Sequence, residues 1–537
     1  MHRGVAVPRS RPQPSMGTEV RLGPTRYPNW VIAASVASYA GEETVRLESP
    51  ASLQLRNRAM ATRVIRHRIL SGFCLLLLSA PAAWAQDAPA PAWTWNSGGL
   101  ALEGGIDTYS AHYTMRGTWW NLSAASAPDF DKSRSFAEFW IQPKLNGSYR
   151  LDGGTEAYGA MSIGATKTLG SDPFEYENQG EVRSGSAMLG LRGTAGAWRY
   201  DLAAGKQPFT LGTGMLLTAG SSNGYSWGGG ASAQRKVWGR SVVARAGRGE
   251  WTGTAFALEP DEAREAETDT GVQGLALEWS RSQLGKAGIS WFTVPHSNAV
   301  YPGDLAPLYF IDDGRDGLDT WHGWADLTGL VPGLPTLGFR AEFAEQRNRV
   351  TRAGGQRDPL EAGAWLLGVS WRGQSLPFAP KFSYHVARFS GDDPDTDSYE
   401  RFDPMYWGNG LDNWWFGANG AYSWLNANLR AHRFIVDVYP SPRDILQFQY
   451  VHASVDQLDS AVQFGQGARF TTSQVVLGVP ESGLSHEYYF QYARVFSARV
   501  IALAFVSQSN PDDGLKAASL QGSQSWTTFG LGLTANF

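Results

Sequence analysis

The sequence predicts an all-β chain: a single transmembrane antiparallel β-barrel of about 18 strands, preceded by a signal peptide. Three observations carry that expectation. Apolar and polar residues alternate with a period of two through segment after segment, and the connections between segments alternate between short and long. No apolar run reaches the about 18 consecutive residues that a membrane helix needs. The mean hydropathy is −0.29 although 12% of residues are aromatic. That combination fits strands that carry oily and wettable residues side by side.

The N-terminal part comes first. From Met60 the chain places Arg63, Arg66 and Arg68 before an apolar core around Phe73 to Leu78, and then Ala83-Trp84-Ala85. This basic, apolar and small-x-small order predicts a signal peptide over 60–85, cleaved after Ala85. Residues 1–59 show no clear periodicity and read as a gene-model extension or a disordered segment. The Ala/Pro-rich stretch 86–97 reads as a periplasmic linker, and 98–537 as the barrel. The single cysteine, Cys74, lies inside the signal, so the exported chain has neither a disulfide nor a thiolate metal site. The formal net charge is −4. Nothing in that balance supports nucleic-acid binding, which shows a basic patch or stripe.

Candidate strands lie at 98–110, 136–150, 155–168, 182–193, 198–208, 235–247, 250–259, 271–280, 284–295, 317–328, 336–347, 360–372, 380–389, 424–437, 443–456, 484–494, 498–507 and 524–537. Short turns rich in Gly, Pro, Asp and Ser recur after every second strand, as at Leu151-Asp152-Gly153-Gly154, Gly247-Arg248-Gly249 and Pro440 to Arg443. Longer connections intervene at 209–234, 260–270, 296–316, 390–423 and 457–483. Short periplasmic turns and long outer loops are the pattern of an outer-membrane barrel, whereas a soluble sandwich does not require it.

Strand by strand, parity assigns faces. In 136–151, Glu138, Trp140, Gln142, Lys144, Asn146, Ser148 and Arg150 oppose Phe139, Ile141, Leu145, Tyr149 and Leu151. In 336–347, Arg340, Glu342 and Gln346 oppose Leu337, Phe339, Ala341 and Phe343. Lys381, Ser383 and His385 oppose Phe382, Tyr384 and Val386, while Asn426, Asn428, Arg430 and His432 oppose Leu425, Ala427 and Leu429. The polar sets are expected to face the lumen. Arg240 and Arg245 have opposite parity, which predicts a bulge or a misplaced strand boundary near 235–247. Trp198, Trp251, Trp279, Trp371 and Tyr439 sit near strand ends, where interfacial aromatic girdles form. The last strand sets Phe529, Leu531, Leu533, Ala535 and Phe537 on one face, and its terminal Phe537 resembles the signal read by the barrel assembly machinery.

Catalytic signatures fail on inspection. His486-Glu487-Tyr488-Tyr489-Phe490 begins like a zinc-protease helix, but Phe490 stands where the second His belongs. The acidic run Asp392 to Asp397 lacks the Gly and Glu of an EF-hand, so a solvated acidic loop is the expectation there. No catalytic residue, metal ligand set or cofactor is assigned. What remains is the lumen, with Lys144, Arg150, Arg192, Arg340, Lys381, Arg430 and His432 beside Glu138 and Glu342. Such cations either attract anionic solutes or brace the wall by pairing with the acids.

The segment Ser390-Gly391-Asp392-Asp393-Pro394-Asp395-Thr396, followed by Tyr399-Glu400-Arg401-Phe402-Asp403-Pro404-Met405-Tyr406-Trp407-Gly408, resembles the bacterial alginate export family of outer-membrane porins. The motif resemblance covers roughly the last third of the chain; the rest is similar in architecture. It implies a barrel with a basic constriction that passes an anionic polysaccharide outward. Tyr399, Glu400, Arg401, Phe402, Asp403 and Pro404 carry over as a loop near the channel mouth. The expected setting is the bacterial outer membrane, with lipid and lipopolysaccharide around the barrel and a polysaccharide or small polar solute inside it. A general or sugar-selective porin for uptake is the alternative, and an outer-membrane barrel enzyme a remoter one.

Overall fold

The computed structural model describes residues 92–119, 133–171, 177–218, 237–262, 267–303, 309–352, 354–408, 414, 416–417, 424–462, 478–518 and 524–537. The expected signal peptide and residues 1–59 lie outside them, as do residues 86–91 of the expected linker.

In chain order the strands are β1 (Trp93–Ser97), β2 (Leu100–Arg116), β3 (Ser133–Arg150), β4 (Glu156–Leu169), β5 (Gly180–Ala195), β6 (Trp198–Gln207), β7 (Trp238–Arg248), β8 (Trp251–Pro260), β9 (Gly271–Arg281) and β10 (Gly285–His296). A two-stranded ribbon of β11 (Tyr301–Pro302) and β12 (Phe310–Ile311) interrupts the series. Then follow β13 (Asp319–Thr328), β14 (Leu337–Thr351), β15 (Arg357–Arg372), β16 (Lys381–Phe389), β17 (Leu429–Ser441), β18 (Asp444–Ser454), β19 (Gly483–Ser497), β20 (Val500–Pro511) and β21 (Trp526–Asn536). A short helix, α1 (Asp513–Ala518), follows β20.

Each long strand pairs antiparallel with its neighbours in sequence, and β21 pairs with both β20 and β2. The result is a closed 18-strand ring. Closure matters physically, because a backbone N–H or C=O left open to lipid costs several kcal/mol and a sealed ring has no edge. All the strands expected from alternation are present, with some ends longer and some shorter than read from sequence. Residues 93–97, expected as linker, instead form β1 on the first half of β2, beyond the reach of β21.

The exterior is apolar. Leu189, Phe343 and Trp321 are 76%, 52% and 51% exposed, and Ile141, Leu275, Leu277, Ile289, Leu367, Phe490 and Phe529 stand out from the same surface. Trp198, Trp251 and Trp371 lie outward at the short-turn end, as the girdle expectation requires. Tyr439 is the exception. It turns inward, and the Arg372 guanidinium stacks 4.4 Å from its ring centre. The bulge expected in β7 is found between Trp238 and Arg240. Beyond it the register is unbroken, and ordinary alternation over five residues sets Arg240 outward beside Glu259 and Arg245 inward over Phe209.

Candidate functional site

The inner wall carries stacked rings on one group of strands and a dense set of charged side chains on another. From β2, β3, β19 and β20, Tyr113 stacks on Phe136 at 5.1 Å, Tyr109 on Trp140 at 5.9 Å, and Tyr489 on Phe505 at 5.4 Å. Across from them, β13 to β17 present charged and polar side chains. Two chain segments fold in against that charged wall.

The first, 209–218, follows β6. It closes on itself through Leu211 N to Leu217 O, and Lys286 of β10 donates to Gly212 O at 2.7 Å. The second is the motif segment 399–408. Tyr399 pairs with the start of β15, through its N–H to Pro359 O and its O from Glu361 N–H. It then crosses β14, where the Gln346 amide donates to Asp403 O at 2.8 Å and accepts from Asp403 N–H at 2.9 Å. It ends against the first segment, with Tyr406 N–H on Leu216 O and Thr218 N–H on Tyr406 O. The loop placed near the channel mouth from sequence thus runs inside the barrel. Tyr399, Arg401, Phe402 and Asp403 are buried there.

One ion pair anchors this arrangement. Arg315, from the connection after β12, makes a two-pronged contact with Asp403, Nε to Oδ2 at 2.7 Å and Nη2 to Oδ1 at 2.8 Å. Both side chains are 1% exposed. The Tyr301 hydroxyl donates to Asp403 Oδ2 at 2.7 Å, and the Met405 amide to Oδ1 at 2.8 Å. Burial alone would lower the Arg315 pKa, but the Asp403 carboxylate holds it above the ordinary arginine value. The Tyr301 hydroxyl is pushed well up by burial and by Asp403. Burial also raises Glu262, against the Thr268 hydrogen bonds that oppose it.

A second cluster sits on the wall itself. Glu342 of β14 accepts from Arg340 Nη2 at 2.8 Å and from Thr213 Oγ1 at 2.5 Å, and it lies 3.3 Å from His322 Nε2 of β13. Arg340 also reaches Thr213 Oγ1 at 3.2 Å and lies 4.6 Å from the ring centre of Trp414. In register, Arg340 faces Gly368, Gly368 faces His385, and His385 faces Arg433. A Cβ at Gly368 would stand 2.5 Å from His385 Cδ2 and 3.4 Å from Arg340 Cβ. The missing side chain is what lets the Arg340, His385 and Arg433 side chains share one level of the inner wall.

The sequence-expected residues divide as follows. Arg340 and Glu342 meet in this cluster. Lys144 faces inward on β3 but pairs with Asp107 at 2.7 Å, and Arg192 pairs with Glu156 at 2.8 Å while covering the Tyr158 ring. Glu138 is inward and buried, Lys381 opens β16 on its inward face, and Arg150 is exposed at the short-turn end. These residues are spread over the wall rather than gathered. Arg430 and His432 require a correction, because they face outward. His432 pairs in register with Val386, and its Nδ1 lies 2.7 Å from the hydroxyl of the exposed Tyr384. Leu429, Ala431 and Arg433 take the inner face instead. The physical reason is at Asn428, whose φ of 47° breaks the strand before Leu429. The polar face read through Asn426 and Asn428 never joined the sheet. Asn428 instead clamps a loop, donating to Gln457 O and Ser460 O.

The acidic run 392–397 spends its carboxylates locally. Asp392 Oδ1 accepts the Glu400 amide at 2.6 Å and Asp393 Oδ1 the Asp395 amide at 3.1 Å. Sequence reasoning missed Arg315, Thr213, His322 and Arg433. The first two lie in connections without periodicity, the parity of Arg433 is inverted by the break at Asn428, and His322 shares the inward face of β13.

No family model and no curated protein matches the chain, so the alginate-export resemblance rests on the quoted motif alone. Among solved structures, the chain is similar to Pseudomonas aeruginosa OccK7 (OpdD), at 12% identity and a TM-score of 0.44, over 81% of this chain and 98% of that one. Acinetobacter baumannii OccAB1 gives 10% identity and a TM-score of 0.46, over 81% and 97%. Pseudomonas aeruginosa OccK2 (OpdF) gives 11% and 0.44, also over 81% and 97%.

Proposed function

We propose that the chain is a passive outer-membrane channel for small polar solutes, with a preference for anions set by the basic level of its inner wall. The observation that carries this reading is the crossing of the interior by 209–218 and 399–408, each tied to inward side chains of β10, β14 or β15. Segments held there narrow the path and favour small solutes over a polymer. Arg340 and Arg433 share a level, and a low-dielectric wall strengthens their pull on a passing anion. Export of a polysaccharide, which the motif resemblance implies, is the less well supported reading, since the motif segment itself lies across the interior.

The test is conductance of the purified chain in planar bilayers, with the reversal potential under a salt gradient, alongside liposome swelling in sugars of increasing size. Anion-selective steps and a cut-off at small sugars are expected. A silent bilayer, cation selectivity, or equal passage of oligosaccharides overturns the proposal.

A further inference from the structure

Three histidines lie side by side on the outside of the barrel, near the end that carries the long connections. His432 of β17 pairs in register with His452 of β18, and His452 with His486 of β19. Their rings stack, with centres 6.2 Å and 4.7 Å apart. Just past β20, Asp512 brings its Oδ2 to 3.3 Å from His486 Nε2. One donor atom from each of His452, His486 and Asp512 lies within 4.8 Å of the others.

We propose that His452, His486 and Asp512 form a binding site for a divalent cation of the zinc class on the outer rim of the barrel. Two imidazoles and a carboxylate are the donor set that such ions prefer, and three protein ligands leave a position open to the surroundings. Tetrahedral zinc with bonds of about 2.0–2.2 Å sets its donors roughly 3.3 Å apart. The His486–Asp512 separation already matches. His452 has to close the remainder by turning its outward-facing ring between those of His432 and His486. The Tyr450 hydroxyl lies 2.8 Å from His486 Nδ1. Accepting that N–H, it would fix the tautomer that presents Nε2 to the ion, as outer partners of metal-bound histidines do. The ion would tie the β18–β19 pair to the connection after β20. The site is independent of conduction, since all its ligands stand outside the lumen.

The experiment is a titration of the tag-free full chain, folded in detergent, with Co²⁺ followed by its visible absorption, and then displacement by Zn²⁺. One saturable equivalent with the d–d bands of a low-coordinate site is expected. His452→Ala and Asp512→Asn are each expected to weaken binding at least tenfold, with circular dichroism confirming the folded barrel. If either variant fails to fold, His452→Gln and His486→Gln replace it. Absence of saturable binding, or binding by folded variants equal to that of the parent chain, overturns the proposal.

Discussion

Two clusters of arginine and carboxylate in this protein look alike in sequence and live in opposite surroundings. Inside, Arg315 grips Asp403 with both partners shut away from water, and Arg340 meets Glu342 on the adjoining wall. At the outer rim, Asp456 accepts from Arg388 Nε at 2.6 Å and Arg430 Nε at 2.7 Å, while the two arginines stay 40% and 55% exposed. The Asp456 side chain is covered but both arginines are open to water and salt, so the rim pairing is partly screened and worth less than the interior ones. The interior pairs are desolvated. Losing one partner there leaves a charge with no compensation, which is why the same chemistry braces a folded-in loop in one place and merely trims a surface in the other.

Asp403→Ala should have the largest effect. It strands buried Arg315 and removes the acceptor of Tyr301, a loss of about 3–5 kcal/mol. The 399–408 segment is then expected to leave the wall, seen as larger or noisier conductance steps and a lower melting temperature. Unchanged conductance with unchanged melting would mean that the pair does not hold the loop. Glu342→Gln comes next. It removes the carboxylate that offsets Arg340, and the reversal potential should move further toward anions with little change in conductance. A move toward cations would contradict the basic-level reading.

Asp456→Asn should cost about 1 kcal/mol and leave selectivity alone. Burial raises the Asp456 carboxyl, but hydrogen bonds from Arg388, Arg430 and the Gly391 amide outweigh it and hold the pKa below the ordinary aspartate range. A depressed folded value stabilises above the unfolded pKa, near about 3.9, and that stabilisation is lost as the pH falls through and below it. The parent chain should therefore lose thermal stability in acid more steeply than Asp456→Asn, as melting curves across that range would measure. The smallest effect is expected for Arg430→Ala on ion selectivity, namely none. A shifted reversal potential would return Arg430 to the lumen.

Alternation made the wall legible. β14 reads correctly from Leu337 onward because its oily residues face outward, its wettable ones meet the interior, and a slip of one residue would exchange both faces. The same rule misplaced Arg430 and His432. It was extended through Asn426 and Asn428, where the backbone had left the sheet, and a break of one residue inverts every assignment beyond it. Trp140 and Glu138 were placed on the correct face, but whether an inward residue joins an aromatic stack, a salt bridge or a charged level depends on strands far away in sequence.

The amino-acid order by itself determined the number of strands, their alternating short and long connections, and the oily exterior, because each of these follows from local periodicity and turn chemistry. The tertiary structure alone decided that 209–218 and 399–408 turn into the ring, that Arg315 finds Asp403, and that three histidines from three strands stand in one row. Those outcomes depend on ring closure and on pairing between distant segments, and a period of two carries no information about either.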